Sequence, residues 1–550
     1  MTALAGHAVT LTAYQQDIWV AEHLSPSAHQ LINGTHEYLT GSIDVEKLAA
    51  SLRRVLERND ALRLYMDESD GQPFQWVEAV SADVAIVDLR SEPDPHAACL
   101  AWMGRAHAAR LELKRSRLYE AALLRESDSG VHLCIRAHHI LTDGWGLRQV
   151  VIQTLTDYEG SPDDTHTEPP SYLDFVADDR QYRGSAQHEL EKSAILDGLS
   201  GFRPALFARE NKGAGCRRGR VSFVIDADLV TKMRAYDNSP FPYIAAAVAS
   251  WLTGVHQAAE VALGVPFLNR RTLEERRTVG MFTSLLPVRV RADGSRPMRD
   301  LAGEVRKSLR TTQENSRVSL SDVVLDSSDA TGRRRPFDVT LSYARFPEPQ
   351  AGSCFSWEGS FESTLHDGDA LQIIVQVLKE SPALRVDLDY DSDVFDESLP
   401  VETIGKHVLA LIRQSLDTPA SPVTELACWE ELAAKKPVTL RLLASDDSEI
   451  VMNADHVVPR TDLERELAAV WAEALDVPSV GVHDNYFMLG GDSLTMLRLR
   501  FLCRQRGIRF ALTDLMRGPT VAQLAARVVA TELDDDENAS AVSPFERGRQ

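Results

Sequence analysis

Along the chain the sharpest hydrophobic pattern is an alternation. Val131, Leu133, Ile135 and Ala137 are apolar, and His132, Cys134, Arg136 and His138 sit between them, a period of two that predicts a half-buried strand. After Trp145, which reads as core, Leu147, Val150, Val151 and Leu155 recur at helical spacing. The stretch His138-His139-Ile140-Leu141-Thr142-Asp143-Gly144 therefore falls where a strand ends and before a helix begins. The same two periods alternate from Leu11 to about Tyr182. Asp44 opens a helix with Leu48, Leu52, Val55 and Leu56 on one face. Leu118 to Leu124 reads as a strand, and Ser127-Asp128-Ser129-Gly130 as its turn into Val131.

Polar residues from about 183 to 220, ending in Asn211-Lys212-Gly213-Ala214-Gly215, predict a connection between two lobes. A second mixed α/β region follows from Arg220 to about Leu416, with strands over Val221–Ile225 and Leu384–Tyr390 and an exposed loop over Ser327–Arg335. Between Asp417 and His456 the composition is that of a linker, with Pro419, Pro422 and Pro437. A helical unit then begins at the capping box Thr461-Asp462-Leu463-Glu464, which satisfies open amides in the first turn. Leu463, Leu467, Val470, Trp471 and Leu475 give that helix an apolar face, and Thr520-Val521-Ala522-Gln523 is a second capping box. Beyond Leu533 the chain is acidic and polar, the composition of a disordered tail.

The 550 residues are enough for about three or four compact units, and 44% hydrophobic content supports real cores. A net charge of −22 argues against nucleic acid, because phosphate binding needs a basic face; the runs Arg333-Arg334-Arg335 and Arg270-Arg271 are short. Cys99, Cys134, Cys216, Cys354, Cys428 and Cys503 lack C-x-x-C spacing and read as reduced thiols of a cytoplasmic protein, with no disulfide frame, zinc site or other metal expected. The N-terminus has no signal-peptide pattern, and no apolar run approaches the roughly 20 residues of a membrane span, so no membrane partner is expected.

Two short stretches carry candidate chemistry. A paired imidazole, an acid and a glycine within seven residues suit transfer of an acyl group to an amine or hydroxyl: one imidazole meets the acceptor's proton and a carboxylate holds the loop. A histidine pair before a helix also has a purely structural reading. The second stretch is Asp484-Asn485-Tyr486-Phe487-Met488-Leu489-Gly490-Gly491-Asp492-Ser493-Leu494. Its glycine pair permits a tight turn, and Ser493 falls at the start of a helix bearing Leu494, Leu497, Leu499 and Phe501. A serine there suits a phosphate-linked group, since a helix's positive end favours negative charge; taken alone it reads first as a plain N-cap, and the whole eleven-residue run reverses that order.

The segment from about Pro459 to Leu533, with Pro459-Arg460-Thr461 at its start and Pro519-Thr520 before its last helix, resembles a peptidyl carrier protein of nonribosomal peptide synthetases. The resemblance implies a four-helix unit with 4'-phosphopantetheine covalently attached to Ser493, installed by a phosphopantetheinyl transferase. Residues 11 to about 416 resemble a synthetase condensation domain. The match runs through Leu11-Thr12-Ala13-Tyr14-Gln15-Gln16-Asp17-Ile18-Trp19, Arg58-Asn59-Asp60-Ala61-Leu62-Arg63, the His138–Gly144 signature, Tyr172-Leu173-Asp174-Phe175, Val279-Gly280-Met281-Phe282 through Pro287-Val288-Arg289, and Phe337-Asp338-Val339-Thr340-Leu341-Ser342-Tyr343. Asn59 and Asp60 replace the family's usual histidine and glutamate. Ser284 and Ser342 stand where asparagine is common, and these two serines point at the lining of the acceptor or donor channel.

This resemblance implies an α/β (α+β) fold of two chloramphenicol-acetyltransferase-like lobes with the active site at their junction, followed by a small four-helix carrier domain. It divides the chain into a condensation N-lobe (1–185), C-lobe (186–430), linker (431–457), carrier (458–533) and acidic tail (534–550). By the same resemblance His139 is the catalytic histidine, either taking the acceptor's proton or positioning the amine, and His138 supports it from behind. Asp143 is expected in a buried ion pair with Arg289 or Arg63, and Gly144 lets the loop turn, with its amide near the reacting carbonyl. The interval from Asp417 to His456 leaves no room for an adenylation domain, and no Gly-x-Ser-x-Gly release motif follows the carrier. The implied activity is an acyltransferase that forms an amide between a donor thioester on a partner carrier and an acceptor amine on Ser493's arm, charged by an adenylation enzyme in trans. Upstream and downstream synthetase carriers are the implied partners. Ester formation with a hydroxyl, a free small acceptor, and a non-catalytic recruitment platform are the alternatives.

Overall fold

A computed structural model describes residues 8–24, 31–69, 72–160, 168–207, 218–325, 336–347, 355–363, 369–378, 381–392, 394–395, 399–433, 457–475, 477, 479–486, 489, 493–510, 514–515 and 518–528. The expected connection over Asn211–Gly215, the loop over Ser327–Arg335, most of the linker and the acidic tail lie outside these residues. Two compact units are present: one holds residues 1–67, 73–320 and 336–441, the other 442–550 with the short segments 68–72 and 321–335.

In the larger unit the first half of the chain forms β1 (Val9–Thr10), α1 (Ala13–Leu24), β2 (Ile32–Gly41), α2 (Val45–Arg58), β3 (Leu64–Ser69), β4 (Gln72–Val77), β5 (Ala85–Asp88), α3 (Pro95–Ala108), β6 (Tyr119–Arg125), β7 (Gly130–His138), α4 (Gly144–Glu159), α5 (Tyr172–Arg183) and α6 (Ala186–Leu199). The second half forms β8 (Arg218–Ile225), α7 (Ala227–Tyr236), α8 (Phe241–His256), β9 (Glu260–Leu268), α9 (Leu273–Arg277), β10 (Thr283–Arg291), α10 (Met298–Glu314), α11 (Leu320–Leu325, which from residue 321 counts with the other unit), β11 (Val339–Ala344), β12 (Phe355–Ser363), β13 (Leu371–Val377), β14 (Leu384–Asp391), α12 (Glu402–Asp417) and α13 (Ala427–Ala433).

Each half has its own large sheet, and β1-β4-β3 form a third, small one in the first half. The first has the order β12-β2-β7-β6-β5 and the second β10-β9-β11-β13-β14-β8. The division near residue 185 is crossed by one strand. β12, from the second half, pairs antiparallel with β2, from Phe355↔Gly41 to Ser363↔Asn33. A second crossing is apolar: Val279, Met281 and Phe282 pack into the first half's core with Leu133, Ile135, Leu147, Tyr172 and Phe175. The Phe175 and Phe282 rings lie 4.1 Å apart.

Local sequence explains the elements that carry the site. Asp44 caps α2 by accepting from the Lys47 amide at 3.0 Å, and Leu48, Leu52, Val55 and Leu56 are buried, as the periodicity predicts. β7 departs from the half-buried strand that its alternation predicts, because almost every residue of both faces is buried. The apolar face meets the main core. The polar face is covered by α3, where Cys99 packs with Ala122, Leu124 and Cys134, and Arg136 is satisfied by the Ala109 carbonyl and Glu120. Polar side chains thus line a buried face because helix and sheet satisfy them, a tertiary effect that a period of two does not carry.

The smaller unit contains α14 (Asp462–Leu475), α15 (Ser493–Gln505) and a helix over 521–528. Its capping box is formed: the Glu464 amide donates to Thr461 Oγ1 at 3.1 Å and the Thr461 amide to Glu464 Oε2 at 3.3 Å. Trp471 is buried edge-on against Tyr486, with ring centroids 5.1 Å apart.

Candidate active site and carrier serine

β7 delivers the histidine pair. The His138 amide bonds the Leu118 carbonyl and the His139 amide bonds the Leu31 carbonyl, each at 2.8 Å, so the pair is pinned from two neighbouring segments. His138 is fully buried and His139 half-buried. The Ile140 amide donates to His138 Nδ1 at 3.2 Å, which makes Nε2 the protonated nitrogen; Glu22 Oε1 stands 3.3 Å from it. Burial raises the Glu22 carboxyl, but His138 and the Leu31 amide outweigh it and hold Glu22 below its ordinary value. His138 is thereby fixed between α1 and the signature loop. Burial pushes the His139 imidazole below its ordinary value, with His138 adding to the effect and its own backbone and the Asp143 charge opposing it. A neutral imidazole within reach of solvent results, the form that can accept a proton.

Asp143 does not pair with Arg63 or Arg289. Its partner is Arg270, buried with it, whose Nη2 lies 2.9 Å from Asp143 Oδ1. Arg289 instead pairs with Glu260 at 2.9 Å, and Arg63 ends the short turn Asp60–Arg63 before β3. The reason is topological. Arg289 sits within β10, beside Glu260 at the far end of the β9–β10 register, whereas Arg270 follows directly on the end of β9 that faces the signature loop. Asp143 does more than pair. Oδ1 also accepts the Gly146 amide at 2.8 Å, capping α4, and Oδ2 accepts the Phe282 amide at 3.1 Å and Thr283 Oγ1 at 3.0 Å. The Asp143 amide in turn donates to the Gly280 carbonyl at 3.2 Å, to which Arg270 also donates at 3.1 Å. One carboxylate therefore joins the loop after β7, the start of α4 and the segment before β10.

Gly144 is the first residue of α4 and is not among the glycines with left-handed backbone; the Asp143 cap shapes the turn there. Beside the signature, Gly146 and Gly280 are glycines that the packing requires. A Cβ on Gly146 would lie 2.0 Å from Thr142 Oγ1 and 3.1 Å from the Gly280 amide nitrogen, and one on Gly280 would lie 2.1 Å from the Tyr172 ring. Trp145 is not core: it is half-buried, and its indole donates to the Arg276 carbonyl at 2.8 Å. Ser284 is buried in a knot, donating to the Ser316 carbonyl at 2.6 Å and accepting from Asn269 at 3.0 Å. Asn59 bonds the Val55 carbonyl and Gln153, and Asp60 accepts the Tyr172 amide at 2.9 Å, so both substituted positions brace helices. Arg270, Glu22 and Gly146 carry no sequence signal that sets them apart; Gly280 lies in a motif whose spacing marked it.

In the smaller unit Ser493 is the first residue of α15, a helix of 13 residues. Helix starts leave amides open and carry partial positive charge, which suits a phosphodiester, so Ser493 fits 4'-phosphopantetheine. Two residues on, Thr495 is held by the Tyr486 hydroxyl at 2.9 Å, and the Tyr486 amide donates to the Pro519 carbonyl at 2.8 Å. Phe487, Met488 and Gly490–Asp492 lie outside the described residues. Among the described residues no helix is long and apolar enough to cross a membrane.

Comparison with known proteins agrees with this geometry. The family described as "Condensation domain" matches residues 6–436, and "Phosphopantetheine attachment site" matches residues 465–528. The chain is 27% identical over 449 residues to isonitrile lipopeptide synthase of Streptomyces coeruleorubidus, covering 76% of this chain and 29% of that protein. It is 24% identical to enterobactin synthase component F of Escherichia coli (strain K12), covering 91% of this chain and 38% of that protein. The chain thus spans well under half the length of these relatives. Among solved structures, the starter condensation domain of rhizomide synthetase, in complex with C8-CoA, superposes with a TM-score of 0.69 at 21% identity, covering 76% of this chain and 97% of that one. The first condensation domain of the CDA synthetase gives 0.62 at 21% identity, covering 76% and 99%. These likenesses show the two-lobed α/β fold. The chain belongs to the condensation-domain family, with a phosphopantetheine attachment domain following the condensation domain.

Proposed function

We propose that this chain forms an amide between a donor acyl or aminoacyl thioester on a partner carrier and an acceptor amine held on Ser493, with His139 as the catalytic residue. The observation that carries the reading is the half-buried, neutral His139 in a loop that Asp143 ties to the opposite lobe. When bound, 4'-phosphopantetheine supplies a flexible tether and a thiol for the acceptor. The acceptor nitrogen attacks the donor's thioester carbon, forming the C–N bond. The C–S bond breaks, and the donor's thiolate leaves. His139 receives the proton released by the nitrogen and returns it to that sulfur, and by holding the amine it also contributes through proximity. His138 and Glu22 keep the loop in register, and Asp143 with Arg270 fixes its shape without touching the reacting atoms.

The family matches leave only residues 437–464 between them, an interval too short for an adenylation domain. We take Ser493's arm to be charged by an adenylation enzyme in trans, after a phosphopantetheinyl transferase has installed it. Two experiments test the reading. Incubation with coenzyme A and a broad phosphopantetheinyl transferase should raise the intact mass by one arm in the wild type and not in Ser493→Ala; equal gains would remove the carrier assignment. With loaded donor and acceptor carriers supplied, His139→Ala should slow product formation by about 10²–10⁴-fold while circular dichroism stays unchanged. Wild-type rates in that variant would leave a recruitment platform as the better reading.

A further inference from the structure

Away from the signature loop, a second set of histidines gathers at the other end of β7. His132 lies on the polar face of that strand, six residues before His138. Glu126 follows β6, in the turn closed by its own amide bonding the Gly130 carbonyl at 3.1 Å. His96 is the second residue of α3, whose start is capped by Asp94. The three side chains converge. Glu126 Oε2 is 3.3 Å from His96 Nδ1 and in direct contact with His132 Nε2, and all three donor atoms lie within 4.8 Å of one another. Ligands at about 2.0–2.2 Å from a tetrahedral Zn²⁺ stand roughly 3.4 Å apart, which the Glu126–His96 pair already matches, whereas the Glu126–His132 contact must open by about 1 Å to admit an ion. That adjustment falls on Glu126 and on His96, whose side chains are 17% and 63% exposed.

We propose that His96, Glu126 and His132 form a binding site for a divalent transition ion of the Zn²⁺ class, with His36 orienting His132 from behind and a fourth position open to water. Two histidines and a carboxylate are a donor set that this ion accepts, and the exposure of His96 supplies an entry path. His36 provides the outer support that metal-bound imidazoles require. Its Nε2 is 2.6 Å from His132 Nδ1, so with Nε2 turned to the metal, His132 donates its Nδ1–H to His36. Tyr38 stacks on the His132 ring at 4.5 Å and holds its plane. The neighbouring acids are committed elsewhere, since Arg90 pairs with both Asp88 and Asp128.

The site has a structural use. α3 rests on the sheet through a small satellite cluster around Cys99, Ala122 and Leu124, separate from the main core. A metal bridging His96 to the β6–β7 turn would staple the helix start to the strand that ends in the catalytic pair.

The test uses the full chain, free of any affinity tag and stripped with a chelator, titrated with Zn²⁺ by calorimetry and with Co²⁺ by visible absorption. We expect one equivalent bound, tetrahedral Co²⁺ bands and a higher melting temperature with Zn²⁺. His96→Ala, on an exposed side chain, and Glu126→Gln should each weaken binding at least about 10-fold and abolish the thermal shift, and His36→Phe should weaken it about 10-fold. His139→Ala, which probes the other histidine pair, should leave the stoichiometry unchanged. No stoichiometric binding overturns the proposal, as does binding that survives His96→Ala and Glu126→Gln or is lost in His139→Ala.

Discussion

The signature loop and the carrier serine are built in opposite ways. Asp143 draws its partners from Gly146 on one side and from Arg270, Gly280, Phe282 and Thr283 on the other, more than a hundred residues along the chain. Ser493 opens a helix in which Thr495 is held by Tyr486, and among the described residues this bond joins positions only nine apart. A site that must hold a reacting nitrogen against a carbonyl gains from being over-determined, because a misplacement of about 1 Å costs on the order of 10²-fold in rate. A serine that must first be modified and then present a long tether needs only an exposed helix start. The contrast predicts that damage to the loop spreads through the larger unit, whereas damage at the serine end stays local.

The strongest way to break the contrast is Asp143→Ala. It leaves Arg270 buried without its charge partner, which costs about 3–5 kcal/mol, and it removes the α4 cap. Condensation should be lost together with several degrees of melting temperature, while loading of Ser493 by a phosphopantetheinyl transferase proceeds as in the wild type. Adding Arg270→Met should restore part of the stability without restoring the rate; full additivity of the two losses would show that the pair is not coupled. A smaller effect is expected from Gly146→Ala. The new methyl meets Thr142 and the Gly280 backbone, and overpacking there should cost about 1–3 kcal/mol, read as a lower denaturant midpoint for the larger unit. The smallest is Tyr486→Phe. Loss of one hydrogen bond to Thr495 should cost about 0.5–1.5 kcal/mol of the carrier's stability, with unchanged condensation of separately supplied loaded carriers. A fall in the larger unit's stability in that variant would contradict the separation.

Much of this was legible in the chain. The period of two over Val131–His138 and the helical spacing after Trp145 placed the histidine pair at a strand end, and that is where it lies. The capping box at Thr461–Glu464 formed as its spacing predicts. Burial of the polar face of β7 was not legible, because α3 covers it from a segment whose own pattern does not say where it docks. The partner of Asp143 was not legible either: Arg63, Arg270 and Arg289 are chemically alike, and it is the tertiary placement that selects among them, with Arg289 held beside Glu260 along the β9–β10 register and Arg63 in the turn before β3.

By itself the sequence determined the residue types of the chemistry, their local elements and the order of the two domains, since periodicity, caps and short motifs act over a few residues. Only the tertiary structure decided which carboxylate supports His138, which arginine holds Asp143, and which glycines are sterically required. It also brought His36, His96, Glu126 and His132 to one place from three separate segments, β2, α3 and the β6–β7 hairpin. Such choices depend on packing between distant segments, where several residues of the same kind compete and geometry selects one.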